Sequence, residues 1–517
     1  MEENEKNKEK KGFSFNNLYN LDKYKVALVA LVIFTILVRF YFFFKYAQQP
    51  VFWDESEHLV MAKHIAFDTP LTGWNASREI VLPLIYAFFF KLFNSEIVVR
   101  FVQLFFSIAA VLLTYFVGKE IFNKTVGLVA ALGMSIFSEF LFWSLRFGLE
   151  PIGLTFSLLM ILFFWKGYVK KQRQKLFLPL AAAFGALAVM SNAKEGVIIG
   201  ALFLFLLFTD KFQFLKNKYI WISIVIALLV ALPFMVYHYK TVGHPLPRLQ
   251  TQSEAVSEQR AEGGWSWKNF FGYMAHFDNY LGLSFLIIFL AGLIYMFITL
   301  IIGFDLIIKG HDEILRYVAV LLLAAAPLLL HSYFFGISPG AYLDPRIVLE
   351  SFPAVFLIAG FGFTKIYDWL SKYKKELAYV IVAFLLIYAV FTQIKVASST
   401  IESKSQSYQQ VKESALWIKE NSNSSDIVFA ASAPQMTYYA ERRIEGYPEK
   451  QVDYEQKIIQ LKPKYMVVSV FEQHPEYVYK WAEREQKAVK VARAYITEEN
   501  GQQQPLLIVY EFISYEF

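Results

Sequence analysis

Cysteine is absent from all 517 residues. That excludes disulfide staples, thiolate zinc sites and a cysteine nucleophile. Charge is scarce too: Asp, Glu, Lys and Arg make up 18% of the chain, against about 25% in ordinary soluble domains. Such a deficit excludes a disordered chain and argues against a single soluble domain. The chain is instead 56% hydrophobic and 18% aromatic, with 52 phenylalanines. Its apolar residues gather in runs long enough to cross a bilayer.

These runs fall at about 25–47, 98–118, 124–144, 151–169, 176–190, 195–208, 218–239, 280–303, 314–335, 347–366 and 377–397, which predicts about 11 spans. A further stretch, 79–93 (EIVLPLIYAFFFKLF), is short and carries Glu79, Pro83 and Lys91, so it reads as an interfacial helix. The net charge of +6 is not a nucleic-acid signature, because the cations sit in short loops between apolar runs. With the N-terminus in the cytoplasm, the cytoplasmic segments carry about 21 Lys/Arg in about 69 residues, and the opposite loops about 10 in about 112. Counting 79–93 as a span would put the KKQRQK run at 170–175 outside and scramble this asymmetry. The first 24 residues, with Lys6, Lys8, Lys10 and Lys11, read as a cytoplasmic basic tail. The run that follows is too long for a signal-peptide core and is expected to stay as the first span.

From Ser398 onward charges return. The order reads helix 407–421, strand 426–432, helix 434–441, helix 453–461, strand 464–471, helix 475–486, then strands near 487–496 and 505–513. Helices alternating with strands predict a small α/β domain, which the charge parity places outside the cytoplasm. It holds no glycine-rich phosphate loop. The fold expected is a mainly α, polytopic transmembrane helical bundle with an interfacial helix and this extracytoplasmic α/β domain. The divisions are 1–24, 25–397 and 398–517.

Candidate chemistry lies on the predicted outer face. Asp54 and Glu55 follow the first span in VFWDESEHLVMAKHI. A carboxylate at a membrane edge costs desolvation unless it is paired or used; a solvated helix start with dipole-favoured acids explains the pair as well. Glu150 precedes Pro151 in WSLRFGLEPIG, where a helix-start acid paired with Arg146 is the plain alternative. Lys194 in MSNAKEGVIIG and Arg346 in GAYLDPRIVLESFP each have a snorkelling interfacial role as the plain alternative. His58 and His64 do not fall on one helical face, which argues against a zinc pair. Loop 240–279, with Trp265 and Trp267, reads as an aromatic interface anchor. What distinguishes the acids and cations is their constellation. Parity brings Asp54, Glu55, Glu150, Lys194 and Arg346 to one membrane face, where carboxylates suit proton abstraction or metal binding and cations suit a phosphate.

In this order, WDESEHLVMAKHI, LPLIYAFFFKLF, VVRFVQLFFSIAAVLLTYFVGKEIF, RFGLEPIGLTF, NAKEG and YLDPRIVLESFPAVFLIAGFG resemble the GT-C superfamily of integral-membrane glycosyltransferases. The branch most similar is that of the protein O-mannosyltransferases and aminoarabinose transferases, over roughly residues 25–400. The resemblance implies transfer of one sugar from a polyprenyl- or dolichyl-phosphate carrier to an acceptor hydroxyl on a protein, glycan or lipid, with inversion, on the extracytoplasmic side. It implies Asp54 as general base with Glu55 beside it, Glu150 at an acceptor or metal position where the family more often has Asp, and Lys194 and Arg346 on the lipid phosphate. No cofactor is required by this reading, although a divalent cation through Asp54 and Glu150 is compatible with it. The membrane would be the cell membrane, or the endoplasmic reticulum membrane in a eukaryote. A transporter or lipid flippase, or a non-catalytic scaffold acting through its C-terminal domain, is the alternative; the former calls for charged or broken helices near the midplane.

Overall fold

The computed structural model describes residues 22–251, Glu254, 264–303, 312–337, 343–499 and 502–517. Most of the expected basic tail and part of the 240–279 loop therefore lie outside the described residues.

Among the described residues, fourteen α-helices of six residues or more form the bundle: α1 (Lys23–Tyr46), α2 (Trp53–Phe67), α3 (Val81–Phe93), α4 (Glu96–Ile121), α5 (Lys124–Ile136), α6 (Ser138–Trp143), α7 (Glu150–Phe164), α8 (Gln174–Ser191), α9 (Gly196–Asp210), α10 (Lys218–Val242), α11 (Phe277–Ile302), α12 (Asp312–Gly336), α13 (Phe352–Ser371) and α14 (Lys375–Lys404). Among the described residues, nine helical segments are long and apolar enough to cross a membrane. The protein is thus an integral membrane protein. Of the eleven expected spans, 124–144 and 195–208 fall short of the usual span length. The first is a 13-residue helix ended at Phe137, whose backbone (φ −55°, ψ 115°) leaves the helical region, and the second is the 15-residue α9. The 79–93 stretch is a separate 13-residue helix, α3, buried on one face.

Close helix approach holds the bundle centre. Gly292 of α11 and Gly362 of α13 face each other where the helices cross. A side chain on Gly362 would strike the Ile288 carbonyl, and one on Gly292 the Ile358 carbonyl. Arg39 is buried inside α1, and among the described residues no carboxylate is one of its hydrogen-bond partners. It donates to Ser107 Oγ at 2.7 Å and to the Ser135 carbonyl at 3.1 Å.

The C-terminal portion adds α15 (Gln409–Glu420), β1 (Ile427–Ala430), α16 (Ala433–Ala440), β2 (Arg443–Glu445), α17 (Gln451–Leu461), β3 (Tyr465–Ser469), α18 (Glu476–Arg484), β4 (Val489–Glu499) and β5 (Gln502–Phe512). The strand order is β2-β1-β3-β5-β4, with β1 parallel to β2 and β3, and β5 antiparallel to both β3 and β4. Central β1 and β3 are almost wholly buried, as expected of strands covered on both faces. The expected α/β elements are all present. The sequence reading missed β2, whose three residues are too few to show a period. Helix α14 runs through Ser398 to Lys404, so only the short turn 405–408 separates the last span from the sheet domain.

Helix α16 joins the two parts. Tyr439 receives a hydrogen bond from the Val51 amide at 3.0 Å, and Tyr438 donates to Glu96 Oε2 at 2.8 Å. Lys63 of α2 pairs with Glu441 at 2.7 Å. Gly73 (φ +86°) lets the outer loop pass over Pro434; a Cβ there would lie 2.7 Å from that backbone. The sheet domain therefore sits directly on α2, the helix that carries Asp54.

Candidate active site

Four chain segments converge at the end of the bundle that bears the sheet domain. The first is the start of α2. Glu55, at its third position, accepts the Phe52 amide at 2.9 Å, the carboxylate half of a capping box. The helix is buried almost continuously from Glu55 to Ala62. The second is the start of α7, where Pro151 fits the first turn and Glu150 leads it. The third is a single 3₁₀ turn, Ala193–Glu195, inserted where Asn192 ends α8. Its first amide is accepted by Glu79 at 3.2 Å. The fourth is a 3₁₀ segment, Pro345–Ser351, capped by Asp344, which accepts the Arg346 amide at 2.9 Å.

Four of the five candidate residues form one connected cluster. Arg346 Nη1 donates to Asp54 Oδ2 at 3.0 Å, and its Nε donates to Asp344 at 3.1 Å and lies 3.9 Å from Glu150. Its guanidinium stands 4.9 Å from the Trp143 ring centre. Lys194 donates to the Arg346 carbonyl and lies 3.9 Å from Glu150 and 3.6 Å from Glu350. Exposure grades along this chain: the Asp54 side chain is 39% exposed, Arg346 29%, Lys194 14% and Glu150 7%. Asp54 is thus the carboxylate at the mouth, and Glu150 lies beneath the cations.

Glu55 is directed away from the cluster. Its carboxylate is buried and receives Arg146 Nε at 2.7 Å, and that guanidinium lies 3.3 Å from the Phe52 ring centre. Arg146, read from sequence as a partner of Glu150, pairs with Glu55 instead. Consecutive residues on a helix point about 100° apart; here one faces the cleft and the next faces the core.

The structure adds partners that the sequence reading missed. Arg78 donates to Asp54 Oδ1 at 2.6 Å and pairs with Glu57 at 2.5 Å. Glu350 accepts from His331 at 2.7 Å while its other oxygen faces Lys194. Arg78 had one available signal: it is one of few cations in an otherwise cation-poor outer loop. His331 and Glu350 had none, lying inside apolar runs. Burial raises the Asp54 carboxyl, but Arg78 and Arg346 outweigh it and hold the group below its ordinary range. Burial pushes the His58 imidazole down to about 3, so the ring is neutral; it packs edge-on to Trp74.

The donor set does not fit a divalent cation. Both Asp54 oxygens accept from arginines, and Glu150 faces two cations. Among the described residues no three His, Asp or Glu side chains are grouped to hold a metal ion.

Residues 77–237 match the family described as dolichyl-phosphate-mannose-protein mannosyltransferase. That segment includes Arg78, Glu150 and Lys194 but neither Asp54 nor Arg346. No curated protein matches the chain in sequence. Solved structures match nearly its whole length. The aminoarabinose transferase ArnT from Cupriavidus metallidurans aligns with a TM-score of 0.64 at 11% identity, over 93% of this chain and 97% of its own. The oligosaccharyltransferase AglB from Archaeoglobus fulgidus, solved with an inhibitory peptide and a dolichol-phosphate, aligns with a TM-score of 0.61 at 13% identity, over 95% and 74%. The mycobacterial arabinofuranosyltransferase AftD aligns with a TM-score of 0.52 at 11% identity, over 95% and 40%. The chain has the fold of the GT-C membrane glycosyltransferases and, over residues 77–237, is similar in sequence to the protein mannosyltransferases.

Proposed function

We propose that the protein transfers a single sugar from a polyprenyl- or dolichyl-phosphate carrier to an acceptor hydroxyl, with inversion, on the extracytoplasmic face of the membrane. The observation that carries this reading is the contact chain Asp54–Arg346–Glu150–Lys194, assembled from four segments at one end of an apolar bundle. The ArnT structure with undecaprenyl phosphate supports a lipid-phosphate donor, and the AglB structure tethered to an acceptor peptide supports a peptide among the acceptors to try.

In the reaction, the acceptor oxygen attacks the anomeric carbon and the carbon–oxygen bond to phosphate breaks. The hydroxyl proton passes to Asp54, the exposed carboxylate at the mouth. A positioned base typically contributes about 10²–10⁴-fold. The leaving phosphodiester becomes a monoester and gains negative charge, which Lys194 and Arg346 stabilise at low dielectric. Glu150, under both cations, fixes their positions. Glu55 holds the start of α2 through the Phe52 cap and Arg146, and so positions Asp54 without touching substrate. No step uses a metal.

Arg346 links the two halves of the reaction. With no donor bound it neutralises Asp54. An arriving phosphate competes for the same guanidinium, which releases the Asp54 Oδ2 oxygen to take the proton when donor is present, while Arg78 stays on Oδ1.

The test is release of polyprenyl phosphate by purified protein in lipid, with a panel of polyprenyl-phosphate sugars and acceptors. Release with one donor, lost in Asp54→Asn, is the expected result. Full transfer by Asp54→Asn and Asp54→Ala would overturn the assignment.

A further inference from the structure

Helix α14 carries a stripe that the bundle covers only in part: Leu386, Val390 and Ile394 pack against the core, while Ile387, Phe391 and Lys395 stay exposed. Leu386, Ile387, Val390, Phe391, Ile394, Lys395 and Ser398 follow one helical face. With Leu132 of α5 they line an open groove of about 640 Å³. Ile387 and Phe391 are 69% and 67% exposed. At 1.5 Å per residue the stripe from Leu386 to Ser398 runs about 18 Å, comparable to one leaflet of a hydrocarbon core about 30 Å thick. Its polar end, Lys395 and Ser398, points toward the end of the bundle that bears the sheet domain.

The charge at that end is uncompensated. No carboxylate among the described residues pairs with Lys395. The nearby acid of the same helix, Glu402, faces Lys45 of α1 at 3.9 Å. A lysine at a helix end commonly snorkels to the headgroups. Here it also closes the top of an apolar channel, and that combination selects a ligand: chains below, an anion above.

We propose that the α5–α14 groove is a binding site for an anionic phospholipid of the leaflet on the sheet-domain side, with its chains along Leu386–Ile394 and its phosphate on Lys395 and Ser398. The site is separate from the candidate active site, since none of its lining residues belongs to the four segments that carry Asp54, Glu150, Lys194 and Arg346. The proposal does not depend on the transferase reading.

Native mass spectrometry of the detergent-purified full chain tests it. The probes are phosphatidylglycerol and phosphatidylcholine with identical chains, added separately. The wild type should retain phosphatidylglycerol preferentially. Lys395→Gln, a change at an exposed position, should cut that preference about fivefold, the effect of one cation at a membrane surface. Val390→Trp, which fills the groove, should reduce retention of both lipids; Leu386→Trp serves the same purpose should Val390→Trp fail to fold. Equal retention of the two lipids by the wild type would overturn the proposal, as would an unchanged preference in Lys395→Gln. Displacement of phosphatidylglycerol by undecaprenyl phosphate in the wild type but not in Lys395→Gln would also overturn it, by reassigning the groove to the donor.

Discussion

Replacing Arg346 with glutamine separates catalysis from folding. Arg346 touches Asp54 at 3.0 Å and, in the proposed reaction, the leaving phosphate. Both partners are partly open to solvent, so the ion pair itself contributes only about 0.2–1 kcal/mol to stability. Loss of one preorganised donor at a developing oxyanion typically costs about 10²–10³ in kcat, a drop too large to come from that pair's stability. The pH dependence adds a second, signed readout. Burial pushes the Asp54 carboxyl up, and Arg78 and Arg346 together bring it below its ordinary range. Without Arg346, Arg78 alone opposes burial and the carboxyl rises. The base works deprotonated, so the acid limb of the rate profile moves to higher pH. The linked stability follows the same sign: a depressed carboxyl stabilises above its unfolded value and loses that contribution as pH falls through the folded value, and in the variant this loss begins at higher pH. The assay is polyprenyl phosphate release by wild type, Arg346→Gln and Arg346→Lys from about pH 4 to 8, with kcat and KM resolved. An acid limb that stays in place, or moves to lower pH, would refute the coupling of Arg346 to the base.

Further outcomes follow from the packing. Glu55→Ala leaves Arg146 charged and buried without its partner, and should cost about 3–5 kcal/mol; melting in detergent reads this, and Glu55→Gln combined with Arg146→Met should recover part of it. Gly148→Ala places a methyl group on the Glu150 carboxylate, and should lower transfer while leaving the melting temperature nearly unchanged. Gly73→Ala meets both a positive φ and the Pro434 backbone, and should cost about 1–3 kcal/mol and speed protease cleavage between bundle and sheet domain. Gly362→Val forces α11 and α13 apart at their crossing; poor folding into detergent-stable protein, seen by size-exclusion chromatography, is the expected result.

Much of this architecture is legible in the sequence because membrane helices announce themselves by length and loops by charge. The long apolar runs mark the nine span-length helices, and the Lys/Arg bias is what grouped Asp54, Glu150, Lys194 and Arg346 before any contact was known. The structure then links these four directly. Less legible was which way each side chain turns. Helix α2 is buried nearly all round from Glu55 to Ala62, so no amphipathic stripe distinguishes the cleft face of Asp54 from the core face of Glu55. The cap at Phe52 is set by three-dimensional packing, as is the Arg146 pairing. The break at Phe137, between α5 and α6, carries neither glycine nor proline to mark it. Strand β2 is recognisable only through its register with β1.

The seat of α16 on α2 bears on how such a protein can diversify. Tyr438, Tyr439 and Glu441 reach Glu96, Val51 and Lys63 across the boundary between the two parts. A soluble domain joined only by its chain could be exchanged for another to suit a new acceptor. This one is part of the wall behind the base, so an exchange must carry the α16 footprint with it. A chimera that preserves that footprint keeps the site; one that respects only the chain boundary at the end of α14 loses it without altering a single residue of the cleft.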